Sequence, residues 1–181
     1  KVQGITLKID SAGQIEWSRM YIPTGFSRHV ENSIFESKNN LILVGFKANG
    51  LPQIDWDYKM QMYIHQLDTA HNITQSYTSD INRYIGLWDG VQTQDGGIVF
   101  CGVEGTQVPD ASGQYPEIKY KAYVAKVDSN FQLVWEHTLG HYGSDLFDVD
   151  ELPDGSIIAV GDASRYFPDE QGAKADSFHV T

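Results

Sequence analysis

The sequence predicts an all-β fold made of four-stranded antiparallel sheets. Three observations carry that expectation. Strand-length apolar runs alternate with turns rich in Gly, Asp, Asn and Ser. Two landmarks recur with a common period, and no stretch carries the 3.6-residue apolar stripe of an amphipathic helix. Composition agrees: 17 Gly, 10 Tyr, 8 Phe and 4 Trp among 181 residues favour short strands and tight turns, and 41% hydrophobic residues suffice for a core.

The first landmark is a hairpin. Leu7-Lys8-Ile9-Asp10 runs through Ser11-Ala12-Gly13-Gln14 into Ile15-Glu16-Trp17; Gln66-Leu67-Asp68 runs through Thr69-Ala70-His71-Asn72 into Ile73-Thr74-Gln75; Lys126-Val127-Asp128 runs through Ser129-Asn130-Phe131-Gln132 into Leu133-Val134-Trp135. The turn aspartates lie 58 and then 60 residues apart. The second landmark is an apolar strand ending in glycine: Leu41-Ile42-Leu43-Val44-Gly45, Ile98-Val99-Phe100-Cys101-Gly102 and Ile157-Ile158-Ala159-Val160-Gly161, with glycines 57 and 59 apart. Asx and glycine turns precede each strand, so neighbouring strands are expected to pair as hairpins.

Taken in order, residues 1–22 supply the outer half of one unit, closing on the hairpin at Asp10. Residues 29–80 form a whole unit. Residues 84–140 form the next, with strands near 84–93, 97–105, 120–128 and 133–139, and residues 145–181 form most of another. A four-stranded twisted sheet has two apolar faces and buries both by stacking between similar sheets. With a period of about 58 residues, that pattern predicts a segment of a β-propeller, each repeat being one blade. Trp17 and Trp135 share a repeat position, as expected of an inter-blade layer, with Gln75 in their place in the middle repeat. Gly45, Gly102 and Gly161 interrupt apolar strands, where a missing Cβ admits a neighbouring sheet or chain. Residues 176–181 match 121–126, so the sequence is expected to be an incomplete propeller, part of a larger one.

The repeat, Lys-apolar-Asp-Ser-x-Gly-x-apolar-x-Trp followed by Asp-Gly-Gly/Ser before apolar-apolar-x-Val-Gly, resembles the propeller repeats of secreted and cell-surface proteins of Bacteroidota, many of which carry a type IX secretion sorting domain. The likeness spans nearly the whole chain. The Asp-x-x-Gly-x-apolar-x-Trp element is also similar to the tryptophan-docking motif of quinoprotein propellers. The first resemblance implies an exported, extracytoplasmic protein, on the cell surface or secreted, acting as a binding or surface-assembly module, as in an outer-membrane assembly. It also implies O-glycosylation at Asp-Ser/Thr-small motifs, which places candidate sites at Ser11 and Thr69. The second resemblance orders the strands, putting 29–37, 84–93 and 145–152 innermost.

Charge and motifs narrow the function. A formal charge of −11 opposes binding to nucleic acid or anionic lipid. No apolar run has the roughly 18 residues of a membrane helix, so direct membrane insertion is not expected. The single cysteine, Cys101, excludes an internal disulfide framework and reads as a buried small hydrophobe. No phosphate loop, nucleophile elbow or zincin motif occurs. His137 and His141, four apart, fall in a strand and a link, where helical metal-ligand spacing has no meaning.

Candidate binding residues fall on the long irregular segments between the second and third strands of each unit. These carry Asp55, Trp56 and Asp57, then Tyr115, then Tyr166, Phe167 and Asp169. Aromatic faces beside carboxylates suit sugar rings or basic peptides, so the expected partner is a protein or a surface glycan. A second candidate is a ring of short polar groups, Asn32, Asp89 and Asp148, lining a channel or bonding to backbone. Oxygen ligands suit calcium, yet the Asp148-x-Asp150-x-x-x-Asp154 run lacks the spacing and the twelfth-position glutamate of a calcium loop, and no cofactor is expected. The alternative to a binding module is a propeller enzyme, a quinoprotein-like oxidoreductase or a carbohydrate-active hydrolase or lyase, for which the sequence supplies no catalytic constellation.

Overall fold

A computed structural model describes residues 4–21, 28–37, 40–49, 59–80, 83–109, 111–113 and 116–163. Among these residues the protein is all-β, with twelve strands in four antiparallel sheets. The first sheet pairs β1 (Gly4–Ile9) with β2 (Ile15–Tyr21). The second is a meander of β3 (Arg28–Ser37), β4 (Asn40–Asn49), β5 (Lys59–Leu67) and β6 (Ile73–Thr78). The third repeats it with β7 (Tyr84–Gln92), β8 (Ile98–Pro109), β9 (Pro116–Val127) and β10 (Leu133–Leu139), and the fourth holds β11 (Ser144–Glu151) and β12 (Ile157–Ala163). β8 and β9 run past the lengths expected from the sequence because their hairpin stays paired as far as Pro109 and Pro116.

The sheets stack face to face. β7 lies against β3, β4 and β5, and β11 against β7, β8 and β9, so the first strand of one sheet crosses the face of the sheet before it. β4 and β8 are covered on both sides, which explains their unbroken apolar runs: Leu43 and Val44 are fully buried, as are the successive residues Val99, Phe100 and Cys101. Between the second and third sheets, Ile42, Val44, Met62 and Ile64 meet Ile85, Leu87, Phe100, Tyr123, Ala125 and Phe131. Between the third and fourth, Val99, Cys101 and Val124 meet Val149, with Trp135, Leu146 and Ile157 partly buried beside them. Burial of such side chains contributes about 1.5–3 kcal/mol each.

The recurrent hairpin is built the same way three times. The carboxylates of Asp10, Asp68 and Asp128 each accept hydrogen bonds from the backbone N–H groups two and four residues on, at 2.8 to 2.9 Å. The residue three on from each aspartate has positive φ: Gly13 at 80°, His71 at 62° and Phe131 at 59°. A left-handed backbone is unfavourable for side-chain-bearing residues, so His71 and Phe131 require compensation. They find it in the preceding sheet. His71 lies with its ring centroid 4.1 Å from that of Trp17, and Phe131, 6% exposed, joins the cluster beside Tyr77.

Each later sheet also carries one bulge in its first strand. The pairing register slips between Glu31 and Ser33, between Leu87 and Asp89, and between Leu146 and Asp148. Gly102 and Gly161 sit opposite the latter two slips, where an added Cβ would collide with the carbonyl oxygens of Gly86 and Asp145. The close approach that these glycines permit therefore comes from the adjacent strand of the same sheet.

Candidate functional site

The antiparallel register brings the inter-sheet links and the long loops to one end of the stack. The start of β3 faces the end of β4, the start of β7 faces the end of β8, and Gly143 of the link before β11 donates its N–H to the Tyr120 carbonyl near the start of β9. The segments 50–58, 110–115 and 164–175 leave from that same end. Asp55, Trp56, Asp57, Tyr115, Tyr166, Phe167 and Asp169 lie outside the described residues. What is described is the end of the sheets to which those segments connect. Ala48 and Met60 are buried there with Phe46, Tyr84, Ile118 and Tyr120 packed around them, and the Tyr84 hydroxyl donates to the Gln107 side-chain oxygen at 2.9 Å. Two cations stand over one ring: Lys121 Nζ is 4.9 Å and Lys119 Nζ 5.7 Å from the centroid of Tyr142. Lys47 lies 6.0 Å from the Tyr63 centroid, and burial lowers its ammonium below the usual lysine range.

The polar positions on the first strands differ from the expected ring by one residue. Asp89 pairs with Cys101 and Asp148 with Val160, and the residue in that register in β3, opposite Val44, is Ser33. Asn32 instead takes the bulge position shared with Trp88 and Phe147. All three strands share the bulge, but the β3–β4 hairpin is one residue shorter: Ser33 and its partner Val44 are 11 positions apart, whereas Asp89 and Cys101, and Asp148 and Val160, are 12 apart, so counting back from the following turn lands one residue early in β3. Asp89 accepts a hydrogen bond from the Val149 N–H at 3.2 Å, joining the third sheet to the fourth. Its hydrogen bond to Asp148 and its charge both raise the Asp148 carboxyl above the usual range, since a proton shared between two carboxylates stabilises the acid form. Asp148 and Asp150 stay in β11 while Asp154 turns the next hairpin, and among the described residues no three potential ligands gather as a metal site.

Two polar features carry no signal in the sequence. Trp88 Nε1 donates to Asp145 at 2.6 Å, an inter-sheet bond made possible by the bulge that turns Trp88. Burial raises the Asp145 carboxyl despite that bond. Near the start of β7, Arg83 pairs with Glu104 at 2.7 Å and Glu136 at 2.8 Å, and the Tyr123 hydroxyl donates to Glu136 at 2.7 Å. Burial would push Glu136 up, but the Tyr123 hydroxyl and Arg83 outweigh it and hold it below the usual carboxylate range. Arg83 and its two carboxylate partners lie 21 and 53 residues apart in sequence, and no local spacing announces them.

Cys101 is fully buried, and burial, followed by the charges of Asp89 and Asp148, pushes its thiol up to about 12. A thiol so shifted is not a nucleophile at neutral pH. His137 stays in β10 with its ring 5.6 Å from that of Trp135, and His141 occupies the link before β11. Ser11 and Thr69 are exposed and occupy the same place, directly after the turn aspartate. No protein-family model matches the chain, and no curated protein does so either.

Proposed function

We propose that the chain is a segment of an exported β-propeller that works as a binding and surface-assembly module, taking a protein or surface-glycan partner on its loop-bearing face. The supporting observation is the repeated interlock: in successive four-stranded meanders, the left-handed turn residue of one sheet packs onto the sheet before it. Sheets joined in this way form a rigid stack whose variable segments leave from one end, the arrangement in which loops carry recognition without burdening the core. The Phe46, Tyr84 and Tyr120 platform and the Lys119–Tyr142–Lys121 group supply apolar and cationic surface beneath those loops. On this reading the sheets are blades, the acidic surface keeps the protein off nucleic acid, and Ser11 and Thr69 are reachable for O-glycosylation.

The test is recovery of a partner from native envelope fractions, run beside a glycan array, with the intact protein and with a variant in which residues 50–58 and 110–115 are replaced by short Gly-Ser turns. Binding that depends on the loops supports the proposal. Binding unaffected by their replacement contradicts it. Turnover that survives purification and disappears on Asp→Asn substitution would replace it with an enzymatic function.

A further inference from the structure

Two lysines and one tyrosine meet where the third sheet gives way to the link before β11. Lys119 and Lys121 are alternate residues of β9, so both side chains leave the same face of the sheet, opposite Thr106 and Glu104 of β8. Between them in the chain, the Tyr120 carbonyl accepts the Gly143 N–H at 2.7 Å, and that bond fixes the link beside β9. Gly140 and Gly143 have φ of 76° and 86°, and a Cβ on Gly140 would stand 2.6 Å from Ser144 Oγ, so the link holds a backbone shape that side-chain-bearing residues rarely adopt. The link delivers the Tyr142 ring to both ammoniums, with Lys121 Nζ 4.9 Å and Lys119 Nζ 5.7 Å from its centroid. All three residues are half-buried. An aromatic face attracts each cation separately but leaves the repulsion between the two cations in place. An anionic group set between the ammoniums removes that repulsion and gains charge-assisted hydrogen bonds from both.

We infer that Lys119, Lys121 and Tyr142 form a receptor for one acidic sugar residue, its carboxylate held by the two ammoniums and its ring against the tyrosine. This assignment presupposes the recognition role proposed for the loop-bearing end and narrows its partner to an acidic glycan. A uronic acid carries a carboxylate and a C–H-rich ring face within one pyranose, which matches a cationic pair beside an aromatic ring. An acidic peptide supplies the carboxylate without the ring. The formal charge of −11 opposes a polyanion, whereas one acidic residue on an otherwise neutral glycan meets only the charges within a Debye length of about 8–10 Å. Two carboxylates belong to the same stretch of sheet. Glu104, opposite Lys121, is engaged by Arg83 at 2.7 Å and by the Thr138 hydroxyl at 2.5 Å. Glu117, exposed and two residues before Lys119 on the same face of β9, adds a negative charge that opposes the ligand.

The test is equilibrium binding of a trisaccharide ending in glucuronic acid, with its methyl ester and its glucose-terminated counterpart as neutral controls. On the unaltered protein the acidic sugar is expected to bind at least about tenfold more tightly than either control, since the ester keeps the ring and loses the charge. The Lys119→Gln/Lys121→Gln variant should abolish that difference. Tyr142→Leu should weaken binding of the acidic sugar, Tyr142→Phe should retain it, and Glu117→Gln should tighten it. Equal binding of acid and ester, no binding of the acid, or a preference that survives loss of both lysines would each overturn the inference. A short peptide with one glutamate, bound as tightly as the sugar, would overturn the glycan assignment. The acid and ester are compared on the unaltered protein, so that result stands if a variant fails to fold. A partner that requires residues 50–58 and 110–115 and ignores both lysines would overturn this inference while supporting the recognition face, whereas a partner insensitive to those segments contradicts the face itself.

Discussion

At the scale of single residues, the bulges decide which positions tolerate change. Gly102 faces the Gly86 carbonyl so closely that a methyl group must displace the strand, and Gly102→Ala is expected to lower stability by about 2–4 kcal/mol. The check is a urea denaturation midpoint against that of Gly13→Ala, where the surrounding space is open and only the positive φ is strained. The carboxyls of Asp148 and Glu136 give opposite pH signatures. Asp148 is raised in the folded protein, so ionising it costs stability as pH climbs from the unfolded carboxylate value of about 3.9 through the folded one. Asp148→Asn keeps a donor toward Asp89 and removes the charge. It should raise the denaturation midpoint at neutral pH and give a shrinking advantage as pH falls to about 4. Glu136 is depressed, so its contribution is present above the unfolded value of about 4.3 and is lost as pH falls through its folded pKa. Glu136→Gln should cost on the order of 1 kcal/mol at neutral pH, solvent screening included, and nothing in acid. A midpoint-versus-pH series in which the two variants ran in the same direction would contradict one of the two assignments, the variant with the reversed trend identifying which.

At the scale of elements, the hairpin joining the last two strands of each of the first three sheets is the unit that repeats, and it is the most legible part of the sequence. Its aspartate, its turn length and the strand patterns on both sides are local, and local chemistry is what a sequence displays. The turn expected around Asp10, Asp68 and Asp128 is the turn observed, including the left-handed position that glycine marks in the first copy. What the sequence did not show is why His71 and Phe131 stand in glycine's place, because the compensation is a contact with another sheet. Phe131→Ala should therefore cost more than a turn substitution ordinarily does, about 3 kcal/mol or more, since it keeps the strained φ and loses the packing. Phe131→Gly relieves the backbone but not the cavity and should fall between Phe131→Ala and the native protein. The bulge likewise escaped the sequence reading. A one-residue insertion leaves the apolar pattern of a short strand readable but shifts its faces, and the β3–β4 hairpin, one residue shorter than the other two, puts Ser33 rather than Asn32 in the register of Asp89 and Asp148.

At the scale of the whole molecule, stacking follows from sheets that are apolar on both faces. The end sheets show the consequence. Ile5, Leu7 and Ile9 are 59%, 42% and 52% exposed on the first sheet, and Ile158 and Val160 are 48% and 54% exposed on the fourth. Their counterparts inside the stack are buried: Tyr63 and Leu67 correspond to Ile5 and Ile9, and Val99 and Cys101 to Ile158 and Val160. The apolar residues on these two faces match positions that are covered inside the stack. The all-β class and the period of the four-stranded meander are readable because they recur in the chain. The recognition chemistry was not, because it belongs to segments whose residues follow no repeat. The most direct measurement of the central claim is a crystal structure of the protein. The account predicts a ring of like blades with β3, β7 and β11 side by side around one axis and the 50–58, 110–115 and 164–175 segments on a shared face. Two sheets closed on each other as a sandwich, or first strands placed at the outer rim, would contradict it.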